Sequence, residues 1–152
     1  MVTVNENFYT LKCTACSAEF DEQETCTTCT KCHGPLDVTY NYEFIKSRLN
    51  LYALKHSPIS ALKYLTFYPI LNLEKIITLN EGGTPLHKCR NLSKKFKLKN
   101  LYIKNEGANP TGVFKDRGTL VEITKALEMG AKAVCFASTG NMAASVAAYC
   151  SI

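Results

Sequence analysis

The order of elements along the chain predicts an α/β protein in two parts, an amino-terminal metal-binding ribbon followed by the opening of a doubly wound parallel sheet. Three observations predict it. Two Cys-x-x-Cys pairs, Cys13 with Cys16 and Cys29 with Cys32, lie close together near the start. From Leu101 onward the sequence alternates apolar run, amphipathic helix, apolar run, loop and alanine-rich helix, the order of units whose helices cover a parallel sheet. The two loops that carry reactive side chains, around Lys115 and Ser138, follow the apolar runs, and such sheets bind ligands at the carboxyl ends of their strands.

At 152 residues and 46% hydrophobic, the chain has material for one modest core, or for a small domain plus part of a larger one, and the cysteine grouping favours the second. The net charge of +5 comes from 18 basic and 13 acidic residues. Its densest basic run holds Lys88, Arg90, Lys94, Lys95, Lys97 and Lys99 with no acid between them, and reads as a solvated helix face, not a nucleic-acid contact. No apolar run approaches the ~18 residues of a membrane span. Met1-Val2-Thr3-Val4-Asn5-Glu6-Asn7 lacks the basic and apolar regions of a secretory leader, so a cytoplasmic location without a membrane partner is expected.

Residues 1–42 are expected to form the ribbon. Five of the eight cysteines fall between positions 13 and 32, and without a leader their crowding points to metal ligation before disulfides. Each Cys-x-x-Cys makes a tight knuckle, and thiolates of Cys13, Cys16, Cys29 and Cys32 close a tetrahedral zinc site. Cys26 and His33 are the substitutes, since Cys26-Thr27-Thr28-Cys29 repeats the spacing. Gly34 is expected to supply the flexible backbone of the second knuckle. Four protein ligands leave no open position, so the metal would be structural. The β-prone runs Phe8-Tyr9-Thr10-Leu11 and Leu36-Asp37-Val38-Thr39-Tyr40 flank the knuckles.

Residues 43–78 read as a helical connector: Phe44, Ile45 and Leu49 mark a short helix over 42–51, and a second runs from Ser60 to Phe67 before Pro69. Tyr40, Tyr42, Tyr52, Tyr64, Phe67 and Tyr68 are expected to be packing residues, not a stacking platform for bases. Residues 79–152 begin with Glu81-Gly82-Gly83-Thr84-Pro85-Leu86, a sharp turn. Leu92 and Phe96 mark a short basic helix, and Leu101-Tyr102-Ile103-Lys104 a strand. Lys115 then sits in a turn before the helical spacing of Leu120, Val121, Ile123, Thr124 and Leu127, which Gly130 closes. Ala133-Val134-Cys135-Phe136-Ala137 reads as a buried strand, and the run from Met142 to Tyr149 as a helix.

A lysine at a strand-to-helix turn can be partly withdrawn from water, and its amine is then a usable nucleophile for a carbonyl such as that of pyridoxal phosphate. Three segments carry the rest: Glu81-Gly82-Gly83-Thr84-Pro85-Leu86, Asn109-Pro110-Thr111-Gly112-Val113-Phe114-Lys115-Asp116-Arg117-Gly118 and Ser138-Thr139-Gly140-Asn141-Met142-Ala143-Ala144-Ser145. In this order, behind two cysteine knuckles, the chain resembles the zinc-ribbon-bearing threonine synthase branch of the fold-type II pyridoxal-phosphate enzymes. It departs from that pattern at Val113, usually serine, and at Met142, commonly threonine. The resemblance implies that Lys115 holds pyridoxal 5'-phosphate as an internal aldimine and shuttles protons, and that Asn141 bonds the phenolic oxygen of its ring. It also implies that Ser138, Thr139 and neighbouring N–H groups receive the substrate carboxylate, with Thr84 a further substrate contact. Asp116 and Arg117 read as structural charges of the first helical turn.

The implied reaction is a carbon–oxygen lyase step of threonine biosynthesis, in which O-phosphohomoserine and water become threonine and phosphate. A homo-oligomer of the full-length protein fits this reading. The family's glycine-rich cofactor-phosphate loop and its partner for the pyridine nitrogen have no counterpart before Ile152. The chain is therefore expected to be an amino-terminal fragment that binds the cofactor weakly and is inactive alone. Two other readings stand beside it: another fold-type II enzyme, such as a cysteate-synthase-like one, and a zinc-ribbon module that binds nucleic acid or protein.

Overall fold

The computed structural model describes residues 8–22, 24 and 26–152, so the leader-free start read over residues 1–7 lies outside the described residues. The chain divides into two compact units. One comprises Met1–Ser57, Tyr64–Ile76 and Thr124–Lys132; the other comprises Pro58–Lys63, Ile77–Ile123 and Ala133–Ile152.

In the first unit, β1 (Tyr9–Cys13), β2 (Glu19–Phe20) and β3 (Leu36–Tyr40) form an antiparallel sheet in the order β2-β1-β3. Tyr9 lies opposite Tyr40, Leu11 opposite Val38 and Phe20, and Cys13 opposite Leu36. The turn out of β3 is made by Asn41, whose side chain accepts the N–H of Phe44 and starts α1 (Tyr42–Arg48). Asn50 repeats the device on Ala53 and starts α2 (Leu51–His56), so the helix expected over 42–51 ends early at Arg48 and a second, unexpected one follows it. Phe8, Tyr9 and Ile45 are buried with Leu11, Val38, Tyr40, Phe44, Phe67 and Leu71 against them. Tyr40 and Phe67 thus pack as expected. Tyr42, Tyr52 and Tyr64 do not: they are exposed, and Tyr52, on a helix with no buried residue, stacks on His56 at 4.1 Å.

The helix expected from Ser60 to Phe67 is a tight 3-10 turn over Ala61–Phe67, broken at Tyr64 (φ −103°, ψ 17°). Seven residues complete few α-helical hydrogen bonds, and short pieces of this kind favour the tighter winding.

The second unit contains β4 (Leu86–Lys88), α3 (Arg90–Phe96) and β5 (Tyr102–Lys104), with β4 and β5 antiparallel and Leu86 opposite Lys104. Next come α4 (Asp116–Glu128), whose last residues from Thr124 belong to the first unit, and α5 (Asn141–Cys150). Gly130 follows α4 at φ 76°, the left-handed position expected of it. The strand expected at residues 133–137 is not formed, and among the described residues no strands pair in parallel. An apolar run becomes a strand only where a neighbour offers backbone partners, and none of the described residues does so here. The interior of this unit is unusually polar: Glu81, Thr84, Asn109, Asp116, Thr119 and Ser145 are buried, beside Leu120, Ile123, Val146 and Tyr149.

Candidate functional site

The four-cysteine cluster is built from one knuckle used twice. The carbonyl of Cys13 accepts the N–H of Ser17 at 3.0 Å, and that of Cys29 accepts the N–H of His33 at 2.8 Å. Ser17 and His33 share a φ of 59°. A second pair of bonds repeats as well, Cys13 N–H to the Ala18 carbonyl and Cys29 N–H to the Gly34 carbonyl. The left-handed residues are therefore Ser17 and His33, not the expected Gly34. Gly34 is needed for space, since a Cβ there would lie 2.9 Å from the Ala15 Cβ and 3.1 Å from the Cys13 Sγ.

The Sγ atoms of Cys13, Cys16, Cys29 and Cys32 all lie within 4.8 Å of one another, with Cys13 to Cys32 at 3.5 Å and Cys16 to Cys29 at 3.6 Å. Tetrahedral zinc–thiolate bonds of about 2.3 Å imply sulfur separations of about 3.8 Å, so the cluster has the dimensions of such a centre. Cys26 packs beside the cluster, but its sulfur faces Glu24 at 3.9 Å.

The N–H of Cys16, opposed by burial and helped by the N–H of Ala15, holds the Cys13 thiol down to about 6. Burial resists ionisation of Cys29, but the N–H groups of Cys32 and Lys31 outweigh it and lower its pKa. At Cys32 the N–H of Gly34 pulls down, yet the thiols of Cys16 and Cys13 and burial prevail and push it up to about 12. Four sulfurs this close repel one another as thiolates, and a divalent cation at their centre is the group that lets all of them ionise.

At the second site, Lys115 is half-buried, its Nζ 5.0 Å from the centre of the Phe114 ring. Among the described residues no hydrogen bond or ion pair engages that amine. The turn around it is held by Asp116, which is fully buried. Its carboxylate accepts the N–H of Thr111 at 2.8 Å, the Thr111 hydroxyl at 2.5 Å and the Ser145 hydroxyl at 2.6 Å. Ser145 belongs to α5, so the helix that follows the 138–141 loop is tied to the residue next to Lys115. The Thr119 hydroxyl lies 2.7 Å from that of Ser145 and 3.1 Å from the Lys115 carbonyl. At the start of α5, the Ser138 hydroxyl accepts the N–H groups of Gly140 and Ala143 at 3.1 and 3.2 Å. Thr139 and Asn141 are exposed, and among the described residues their side chains make no hydrogen bond.

Two further acids knit the remaining motif residues together. Glu106 accepts the Thr84 hydroxyl at 2.6 Å, Asn109 Nδ2 at 3.0 Å, and Nε and Nη2 of Arg117 at 2.7 and 3.0 Å. Arg117 first, then Thr84 and Asn109, hold its carboxyl down to about 2, against burial. Thr84 is itself buried between Glu106 and Arg117, and Lys104 Nζ donates to its carbonyl. Glu81, fully buried, accepts the hydroxyls of Tyr149 at 2.5 Å and Thr78 at 3.0 Å and the N–H of Leu79 at 3.1 Å.

Gly82 and Gly83 have φ of 87° and 63°, and side chains there would strike the Ala61 nitrogen and the Ile59 carbonyl oxygen at 2.5 and 2.3 Å. Sequence reasoning missed the roles of Glu81, Glu106 and Ser145. A signal existed for Glu81, the only Asp, Glu, Lys or Arg between Lys75 and Lys88.

Among the described residues the Lys115 amine and the Thr139 and Asn141 side chains make no hydrogen bond, whereas the Ser138 hydroxyl already holds the N–H groups of Gly140 and Ala143. Residues 77–152, half of the chain, match the family model described as pyridoxal-phosphate dependent enzyme, and the chain belongs to that family. Its relatives include threonine synthases. That of Methanocaldococcus jannaschii is 47% identical over 91% of this chain and 34% of its own, and that of Methanosarcina acetivorans 48% identical over 93% and 34%. The threonine synthase of Halalkalibacterium halodurans is 48% identical over 57% of this chain and 24% of its own. The chain thus spans about a third of the length of the first two relatives. No helix among the described residues is long and apolar enough to cross a membrane.

Proposed function

We propose that the chain works in a threonine synthase, a carbon–oxygen lyase that converts O-phosphohomoserine and water to threonine and phosphate with pyridoxal 5'-phosphate. Residues 1–42 serve as a zinc ribbon, 43–78 as a helical connector and 79–152 as the amino-terminal part of the catalytic domain. The observation that carries the reading is the shared carboxylate of Asp116, which ties the Lys115 turn to the helix after the 138–141 loop. The names of relatives that match more than nine-tenths of the chain support threonine as the product.

When bound, pyridoxal phosphate supplies the electron sink for carbanion chemistry. Lys115 would hold it through Nζ and, once that nitrogen is released, would carry protons between neighbouring substrate carbons. The Asn141 amide would hold and orient the bound ring. Ser138, Thr139 and the N–H groups at the start of α5 bind the substrate carboxylate. Thr84 has committed its proton to Glu106, so toward a substrate its hydroxyl is an acceptor only. Cys13, Cys16, Cys29 and Cys32 would hold a structural zinc, and the lack of a disulfide among the eight cysteines suits a reducing, cytoplasmic setting.

The test uses the complete gene product. Borohydride reduction with pyridoxal phosphate should leave the phosphopyridoxyl group on Lys115, and O-phosphohomoserine should yield equal phosphate and threonine. Lys115→Ala should abolish both. Labelling spread evenly over the lysines, unchanged in Lys115→Ala, would overturn the reading.

A further inference from the structure

We propose that Asp116 is a positioning residue: it locks the Lys115 turn to α5, so that the lysine and the 138–141 loop meet one ligand together. The inference rests on the reading of Lys115 as the cofactor lysine.

Asp116 is fully buried, and its three donors are neutral. The ion pairs among the described residues are Lys12 with Glu19, Arg117 with Glu106 and Lys125 with Glu128; none includes Asp116. A carboxylate buried on neutral donors is a costly way to stabilise a fold, because each oxygen loses water and regains only dipoles. What it contributes is a fixed geometry. Oδ2 takes the N–H of Thr111 and Oδ1 its hydroxyl, which closes the loop of chain leading into Lys115.

Oδ1 also takes the hydroxyl of Ser145. Ser145 stands four residues after Asn141, on the same face of α5, so anchoring Ser145 beside Lys115 directs the Asn141 end of that face to the lysine turn. Thr119 lies against both segments: with the Ser145 proton on Asp116, its own hydroxyl donates either to Ser145 Oγ at 2.7 Å or to the Lys115 carbonyl at 3.1 Å. An aspartate at a helix start ordinarily caps or complements the dipole of its own helix. Here the side chain reaches instead to the segment before the lysine and to the helix beyond the second loop.

The experiment measures where pyridoxal phosphate is trapped. The complete gene product and its variants are reduced with borohydride at low cofactor concentration, and peptide mapping compares label on Lys115 with label on Lys12, half-exposed and paired with Glu19. Wild type should favour Lys115 strongly. Asp116→Asn, Ser145→Ala and Thr111→Val should each lower the Lys115-to-Lys12 ratio about tenfold, the scale of a small misplacement of a reacting group. Thr111→Ser, which keeps the hydroxyl, should restore it.

Thermal melting is followed in parallel. A ratio that stays at the wild-type value in all three variants overturns the inference, and so does a lowered melting temperature with the ratio unchanged. A wild type with no preference for Lys115 overturns the cofactor-lysine reading itself, and the inference with it.

Discussion

In the ribbon each pair of sulfurs is placed by chain neighbours, whereas around Lys115 the side chains are placed by residues far along the chain. Cys13 receives the N–H groups of Ala15 and Cys16, and Cys29 that of Lys31, all within three residues. The other site depends on Ser145 reaching Asp116 across 29 positions, Arg117 reaching Thr84 across 33 and Tyr149 reaching Glu81 across 68. Local geometry needs little core, and among the described residues the cluster on the cysteine side buries Cys13, Phe20 and Cys29, so a metal bound there would add folding free energy that so small a core lacks. Long-range geometry instead demands buried acceptors whose every partner is present. One region should therefore fail by losing a metal, the other by losing a single oxygen.

The largest expected effect is on the ribbon. Cys29→Ser, or a strong chelator, should take zinc from about one per chain to none and abolish the order of the ribbon, read by metal analysis and by the loss of slow amide exchange in β1. Persistent exchange protection there without metal would erase the contrast between the regions. Smaller, and confined to the second unit, is Glu81→Ala. It strands the Tyr149 and Thr78 hydroxyls and the Leu79 N–H, and should cost roughly 3 kcal/mol in urea unfolding while leaving zinc content unchanged.

The smallest effect is a pH dependence. Glu106 is lowered from the usual 4.5 to about 2, so its contribution is fully present above pH 4.5 and is lost as pH falls toward 2. Glu106→Gln should flatten the decline of stability between those values, measured by thermal melting across the range. An unchanged slope would mean that the pair with Arg117 adds nothing to the fold.

Much of this was legible in the residues. The Cys-x-x-Cys pairs, the turn at Lys115, the glycine after α4 and the loop before α5 are local patterns, and the structure has local features at each. Asn50 could have been read as a second cap, but Phe44, Ile45 and Leu49 suggested one continuous helix. The glycine at 34 was expected for its backbone freedom and proves necessary for the sulfur beside it, a distinction that depends on where Ala15 and Cys13 come to lie. The buried acids were the least legible, because burial of a charge depends on which distant donors arrive.

By itself the sequence determined which four cysteines group together, the helices that follow the Lys115 turn and the 138–141 loop, and the family, since each rests on residue types at short fixed spacings. Only the tertiary structure decided that Asp116 faces Ser145 and Thr111, that Glu106 gathers Thr84, Asn109 and Arg117, and that residues 133–137 stay without a strand partner. The physical reason is the same in each case: a hydrogen bond needs both of its ends, and along this chain the second end lies elsewhere.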